Sequence, residues 1–269
     1  MKVAILGLGS ITRGILAALE QAPEVTEVVA TRRAPGRREG DPEHAVMLFT
    51  DEDPAANRRA VAEADVVFVC VKPHQFPAML EEIAPVLEPA SVVVSVAAGV
   101  SFSTLRRCTG PDPRLVRLMP NTPTGVGEGV VGLLTEHEGS EEHTLLAEWF
   151  SRVGYVVPLP NEDAVNVLSA VSGSGPAYVF RLAEAMTNAA LDTGMSADHA
   201  EAAVRQTIIG AAALLKESRL SAEELRRRVT SPGGTTERAV AVLESASPDA
   251  LFTEAFAASV RHARTLDRS

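Results

Sequence analysis

An α/β domain with a mostly parallel sheet over residues 1–160, followed by an all-α domain over residues 161–269, is the architecture this sequence predicts. Three observations carry it. Through the first part, short aliphatic runs such as Lys2–Leu6, Asp65–Val71 and Ser91–Val96 alternate with helix-period segments, the pattern of strands covered on both faces by crossover helices. From Glu162 onward no strand pattern occurs, only apolar residues at helical spacing. A chain of 269 residues with 46% hydrophobic side chains is also long enough to build two cores.

The first strand, Lys2–Leu6, runs straight into Gly7-Leu8-Gly9-Ser10-Ile11 and then a helix pattern at Ile11, Ile15, Leu16 and Leu19. Strand, glycine turn and helix in this order open a dinucleotide-binding unit: one glycine makes the tight turn, the next lets a pyrophosphate approach the backbone, and the helix start supplies N–H donors. The third fingerprint position is Thr12 rather than a small residue, and Gly14 is expected to relieve the contact between helix and strand. The second strand, Glu27–Ala30, ends in Thr31-Arg32-Arg33, where a site preferring NAD carries a carboxylate for the ribose hydroxyls. A hydroxyl followed by guanidiniums suits a 2′-phosphate instead, so NADP(H) is expected, with NAD(H) still possible. Without the glycine turn, the two arginines would read as a solvated turn.

A mobile loop is expected over residues 34–44, then a strand at Ala45–Phe49 and a helix from Asp53-Pro54 through Val61. Strands follow at Asp65–Val71, Ser91–Val96 and Leu115–Met119. In an open α/β sheet, ligands bind beyond the carboxyl ends of the strands. Lys72-Pro73, Ala97-Ala98-Gly99 and Pro120-Asn121-Thr122-Pro123 should therefore share one crevice. Val130–Thr135, the helix Glu141–Arg152 and Tyr155–Pro158 complete the sheet domain.

At the junction, Asn166–Phe180 reads as helix, break, helix: Ser172-Gly173-Ser174-Gly175 interrupts the period and Pro176 suits a first helical turn. The break serves a tight helix-helix corner and a ligand site equally well. Beyond it, Ser196 caps a helix running to Lys216, Ser221 and Glu224 have capping-box spacing, and Ser247-Pro248 starts a last helix towards Leu266. The helix from Ser196 is apolar on nearly every side, which points to a homo-oligomer built through this half, unless its alanines pack within one chain. Between two helices lies Val229-Thr-Ser-Pro-Gly-Gly-Thr-Thr236, whose hydroxyls and N–H groups at a helix start suit a carboxylate or phosphate.

The composition narrows the partners. A net charge of −10 argues against nucleic acid or an anionic membrane as the main partner. No apolar run approaches the roughly 20 residues that span a bilayer, and Met1-Lys2-Val3 lacks a signal peptide, so the expectation is cytoplasmic. Cys70 and Cys108 have no partner pattern for a disulfide or a metal site, and no metal is expected.

Together these segments resemble pyrroline-5-carboxylate reductases, which make proline by reducing a cyclic imine with NAD(P)H. The resemblance rests on Gly7-Leu-Gly9, Val71-Lys-Pro73, Ser95-Val-Ala-Ala-Gly99, Met119-Pro-Asn-Thr-Pro123, Ser172-Gly-Ser-Gly-Pro-Ala-Tyr178, Gln206-Thr207, Val229-Thr-Ser-Pro-Gly-Gly-Thr-Thr236 and Leu243-Glu244. It implies an N-terminal Rossmann-like domain and a helical domain that interlocks with a second subunit, with dimers often assembled into larger rings. It also implies Thr31 and Arg32 near the adenosine ribose or its phosphate, Asn57 by the adenosine, and Lys72, Pro73 and Ala97 along the nicotinamide. By the same resemblance Ser231, Gly233, Gly234 and Thr235 hold the substrate carboxylate, Glu162 lies nearby, and the Thr236 hydroxyl reaches the imine nitrogen. Gly7 to Ile11, Val71 and Asn121 complete the expected cofactor contacts. Departures are Thr12, Asn166 where Asp is common, and a lengthened approach to Asn57.

The chemistry this implies is modest. A protonated imine is already electrophilic, so anchoring the carboxylate and holding the nitrogen does much of the work, and the hydride belongs to the cofactor. Two rivals are a hydroxyacid dehydrogenase, for which Lys216 is the only second-domain lysine, and a non-catalytic NADP-binding regulator.

Overall fold

The computed structural model describes residues 1–9, 11–36, 41–42 and 44–266. Two compact units emerge: Met1–Ser174 together with the C-terminal stretch from Ala258, and Gly175–Ala257. The sequence puts its boundary after residue 160, whereas the contacts put it at Ser174. The reason is local. Leu168 packs where a side chain on Gly132 would sit, the Asn121 amide holds the Ser172 carbonyl, and Asp163 is clasped by Arg264.

The first unit is one eight-stranded sheet: β1 (Lys2–Leu6), β2 (Glu27–Arg32), β3 (Val46–Phe49), β4 (Val66–Val69), β5 (Val92–Ser95), β6 (Arg114–Pro120), β7 (Gly129–Thr135) and β8 (Gly154–Pro158). Their order is β3-β2-β1-β4-β5-β6-β7-β8. All neighbours pair in parallel except β6 and β7, which are antiparallel. Central strands read as unbroken aliphatics because both faces are covered. On one face α1 (Thr12–Leu19) and α5 (Glu141–Ser151) bury Ile15, Leu146, Trp149 and Phe150 against Ile5, Phe68 and Val94. On the other, α2 (Ala56–Val61), α3 (Phe76–Ile83) and α4 (Phe102–Thr109) bury Val61, Phe76, Leu80 and Leu105 against Leu6, Val67 and Val93. Two adjacent residues of β6 therefore face different cores.

The expected break at Ser172–Gly175 is not a break. After α6 (Glu162–Leu168), residues Ser169–Gly173 continue as a π-helical turn, and Ser174 keeps right-handed dihedrals before α7 (Gly175–Asp192) begins. The Ser174 N–H donates to the Ser169 carbonyl at 2.9 Å, and the Ser172 hydroxyl to the Leu168 carbonyl at 3.0 Å. Small residues let the helix widen by one residue rather than end, the arrangement that commonly marks functional sites.

The second unit continues with α8 (Ala197–Glu217), α9 (Ala222–Arg228), α10 (Thr235–Ser245) and most of α11 (Pro248–Leu266). Ser221 and Glu224 form the expected capping box, while Ser196 occupies the cap position of α8 without a side-chain bond. Tyr178, Phe252 and Phe256 form a ring cluster with centroids 5.8–6.1 Å apart. The alanine-rich helices do not hide their apolar residues within the chain: Phe180, Ile209, Leu214, Leu243 and Leu251 are all more than half exposed. That is a surface built to be covered.

Candidate active site

The glycine turn sits at the centre of the sheet. Gly7 adopts φ +88°, and a side chain there would meet Val71 Cγ1 at 2.8 Å, so the turn tolerates only glycine. The N–H groups of Gly7 and Leu8 both donate to the Thr31 carbonyl, at 3.1 and 3.0 Å, tying the turn to the end of β2. Gly9 faces open space, the approach a pyrophosphate needs. Thr12, the departure from the fingerprint, is useful here: its hydroxyl donates to the Gly9 carbonyl at 2.6 Å and accepts from the Gly9 N–H at 3.2 Å, stitching the turn to the helix. Ser10 lies outside the described residues. Gly14 does relieve a contact, but not with a strand: a Cβ there would stand 2.7 Å from Thr124, in the 3₁₀ turn Thr122–Val126.

Beside this turn opens a crevice of about 390 Å³. Ile11, Val71, Pro73, Val96, Ala97 and the Met119–Thr122 segment line it, together with Ser169 and Gly173 of the π-helical turn. The ends of β4, β5 and β6 therefore do share one cleft, as the sequence predicts. Lys72 is exposed at the start of the 3₁₀ turn that follows β4. Burial pushes the neighbouring Cys70 thiol well above its ordinary range, so it stays a neutral, unreactive group.

Asn121 borders the crevice with its amide turned inward. Its nitrogen donates to the Ser172 carbonyl at 3.0 Å and its oxygen accepts from the Val130 N–H at 2.9 Å. It is a bracket for the π-helical turn rather than a free cofactor contact.

On the far side of the glycine turn, the buried Thr31 hydroxyl donates to Asn57 Oδ1 at 2.8 Å, and Asn57 Nδ2 donates to Glu82 Oε2 at 3.1 Å. Glu82 thus fixes which way the Asn57 amide points. Arg32 is neither a solvated turn nor an open phosphate clamp. Its Nη1 bonds both oxygens of Asp41, at 2.8 and 3.1 Å, Nε bonds the Ala34 carbonyl and Nη2 the Gly36 carbonyl. Part of the loop expected over residues 34–44 lies outside the described residues. Arg33 is the exposed guanidinium of the pair, facing Asp51 at 3.4 Å.

Glu162 is also engaged internally. One of its carboxylate oxygens accepts from Arg117 Nη1 at 2.9 Å and from the Phe102 N–H, the start of α4, at 2.6 Å. Sequence reasoning missed Arg117, whose signal was a lone arginine in the aliphatic run of β6. It missed Asp41 and Glu82 as well, which nothing in local spacing distinguishes from surface carboxylates.

In the second unit, the loop before α10 has Gly233 at φ +74° and Gly234 at the helix cap position. The Ser231 carbonyl accepts from the Gly234 N–H at 3.0 Å, and Thr235 and Thr236 occupy the first helical positions. The Gly233 N–H is already used: it donates to Glu237 Oε2 at 2.9 Å, so a carboxylate from the chain itself sits on this loop. Among the described residues no cluster of His, Cys, Asp and Glu could hold a metal ion, and no helix is long and apolar enough to cross a membrane.

Residues 2–99 match the family model described as "NADP oxidoreductase coenzyme F420-dependent", and residues 162–266 the one described as "Pyrroline-5-carboxylate reductase dimerisation". The pyrroline-5-carboxylate reductase of Pseudomonas aeruginosa is 40% identical over 79% of both chains, and that of Arabidopsis thaliana 32% identical over 100% of this chain and 96% of its own. The solved pyrroline-5-carboxylate reductase of Coxiella burnetii superposes with a TM-score of 0.85 at 34% identity, over 99% of this chain and 98% of that one. The Plasmodium falciparum enzyme, solved with NADP bound, shares the fold at a TM-score of 0.83 and 23% identity, over 99% and 98% of the two chains. At 40% identity over 79% of its length to one named reductase and 32% over its whole length to another, the chain belongs to the pyrroline-5-carboxylate reductase family.

Proposed function

We propose that this protein reduces 1-pyrroline-5-carboxylate to L-proline, the last step of proline biosynthesis, using NAD(P)H with NADPH preferred. The observation that carries the reading is the likeness to named reductases over nearly the whole chain, joined to a glycine turn whose second glycine opens onto free space beside a strand-end crevice.

The residues fit a dinucleotide. Gly7–Ile11 and the start of α1 suit the pyrophosphate, Thr31 and Arg32 the adenosine ribose or its phosphate, Asn57 the adenosine, and Val71–Pro73 with Ala97 the nicotinamide. Bound there, the reduced nicotinamide supplies the hydride. The chain's own part is to hold the small anion and its nitrogen. Ser231, Gly233, Gly234 and Thr235 hold the carboxylate through N–H and hydroxyl donors at the start of α10, with Glu162 nearby. The Thr236 hydroxyl reaches that nitrogen and donates or relays a hydrogen bond there; the imine takes one hydride at carbon and one proton from water at nitrogen, and so ends the reaction as the amine of proline. Asn121 serves the nicotinamide side by keeping the π-helical turn against the crevice.

The family's dimerisation region and the exposed apolar helices support a homo-oligomer. A dimer through the C-terminal helices, rings of such dimers, a cytoplasmic location and a functional boundary near residue 160 belong to the same proposal. Initial-rate oxidation of NADPH, and separately of NADH, with 1-pyrroline-5-carboxylate and identification of proline as product tests it. Rapid turnover supports the reading, and a folded protein that binds cofactor but turns over neither sinks it.

A further inference from the structure

The end of β2 carries an arginine that already has an anion. Arg32 and Asp41 are among the few buried ion pairs of the described chain, with side chains only 5% and 9% exposed. Both Asp41 oxygens lie on Arg32 Nη1, the other two nitrogens are on the Ala34 and Gly36 carbonyls, and the guanidinium carbon lies 5.8 Å from the centre of the Phe49 ring. Every nitrogen of the guanidinium is thus in use. A dianionic phosphate arriving at an arginine in this state meets a buried carboxylate on its own fork, and like charges at such range repel. A ribose bearing a plain 2′-hydroxyl asks nothing of that pair.

Resting on the cofactor reading above, we propose that Asp41 is a resident stand-in for the 2′-phosphate: it holds Arg32 in the free protein and must release Nη1 before a 2′-phosphorylated adenosine binds. Asp41 is then a specificity-determining residue. Phe49 and the two carbonyls keep Arg32 at the end of β2, so only the carboxylate has to yield. The state with Arg32 released is a minor fraction of the free protein, and the apparent affinity for the phosphorylated ligand is lowered by that fraction. The ratio of NADPH to NADH use is therefore set by how firmly Asp41 holds, not by the presence of arginine alone.

The test is direct binding by calorimetry of 2′,5′-ADP and of 5′-AMP to the full-length protein and to Asp41→Asn. The proposal expects 2′,5′-ADP to bind about threefold or more tighter to the variant, with 5′-AMP changed by less than about twofold. No change for either ligand overturns it and moves the phosphate contact to the exposed Arg33. Weaker binding of 2′,5′-ADP also overturns it, because Asp41 would then be a scaffold that aims Arg32. If the unaltered protein binds neither ligand, the cofactor reading itself fails, which the variant cannot mimic. Hydrogen exchange on the unaltered protein is the second measurement: 2′,5′-ADP, but not 5′-AMP, should speed exchange at Gly36 and Asp41, whereas slower exchange there would count against the proposal.

Discussion

Arg117 on β6 reaches Glu162 at the start of α6 through a 2.9 Å bond, and the same carboxylate oxygen receives the first N–H of α4 at 2.6 Å. One oxygen thereby joins a buried cation, a helix start and the segment that leads to the π-helical turn. Arg117 is 2% exposed, whereas the Glu162 side chain keeps 38% of its surface. Removing the acid takes a charged partner from a buried cation, and removing the cation leaves an acid that water can still reach. Glu162→Gln should therefore destabilise by about 1–3 kcal/mol, and Glu162→Gln with Arg117→Met by less than that. Denaturant unfolding at fixed protein concentration reads both; a double variant weaker than the single one would contradict this account.

Thr236, at the start of α10, is the residue proposed to reach the imine nitrogen. Thr236→Ala should lower kcat by roughly tenfold or more with the Kd for NADPH changed little, and Thr236→Ser should restore most of it. Steady-state kinetics beside a binding titration separates the two. Loss of cofactor affinity in proportion to kcat would remove Thr236 from the chemistry.

Glu237 rests on the Gly233 N–H, one of the donors assigned to the substrate carboxylate. Glu237→Gln keeps an acceptor there and deletes the charge. A charge at a helix start is worth about 0.3–1 kcal/mol, so KM for 1-pyrroline-5-carboxylate should fall roughly two- to fivefold with kcat unchanged. A raised KM would mean that the carboxylate shapes the loop for substrate rather than opposing it.

Asp163 and Arg264 form a two-pronged pair, 2.8 and 2.9 Å, between α6 and the end of α11. The Arg264 side chain hydrogen bond holds the Asp163 carboxyl below its ordinary value. A depressed folded value means the unfolded chain takes up the proton first. The pair's stabilisation is therefore present above the ordinary carboxylate value, about 3.9, and is lost as pH falls from there through the folded value. The melting temperature of Asp163→Asn should lie below that of the parent at pH 7, and the gap should close under acid conditions. A gap that stays constant into acid would assign the effect to something other than ionisation.

Most of the sheet was legible because a strand covered on both faces has no polar residue to place, so β4 and β5 appear as plain aliphatic runs. Hydropathy carries no direction, however, and nothing in Gly129–Thr135 announced that β7 runs against β6. The stretch Ser172–Gly175 misled for a physical reason: serines and glycines that usually end a helix can instead widen it, and only the bond from Ser174 to Ser169 tells the two apart. Pairings far apart in sequence were likewise hidden. Asn121 looked like a ligand contact by its place after β6, but its amide is spent on Ser172 and Val130. Arg32 was found as a residue, and its partner Asp41 was not, since a charged side chain in a polar loop carries no sign of being buried.

Thr124 is fully buried between two glycines: a Cβ on Gly14 would stand 2.7 Å from it, and one on Gly129 would overlap its hydroxyl at 2.1 Å. It is a peg in a socket whose walls are the missing side chains of α1 and β7. In lineage terms the three positions form one character. A methyl gained at 14 should be inherited only alongside a loss of bulk at 124, and a laboratory library mutated at all three should return survivors whose summed volume barely moves, even where no single residue is kept.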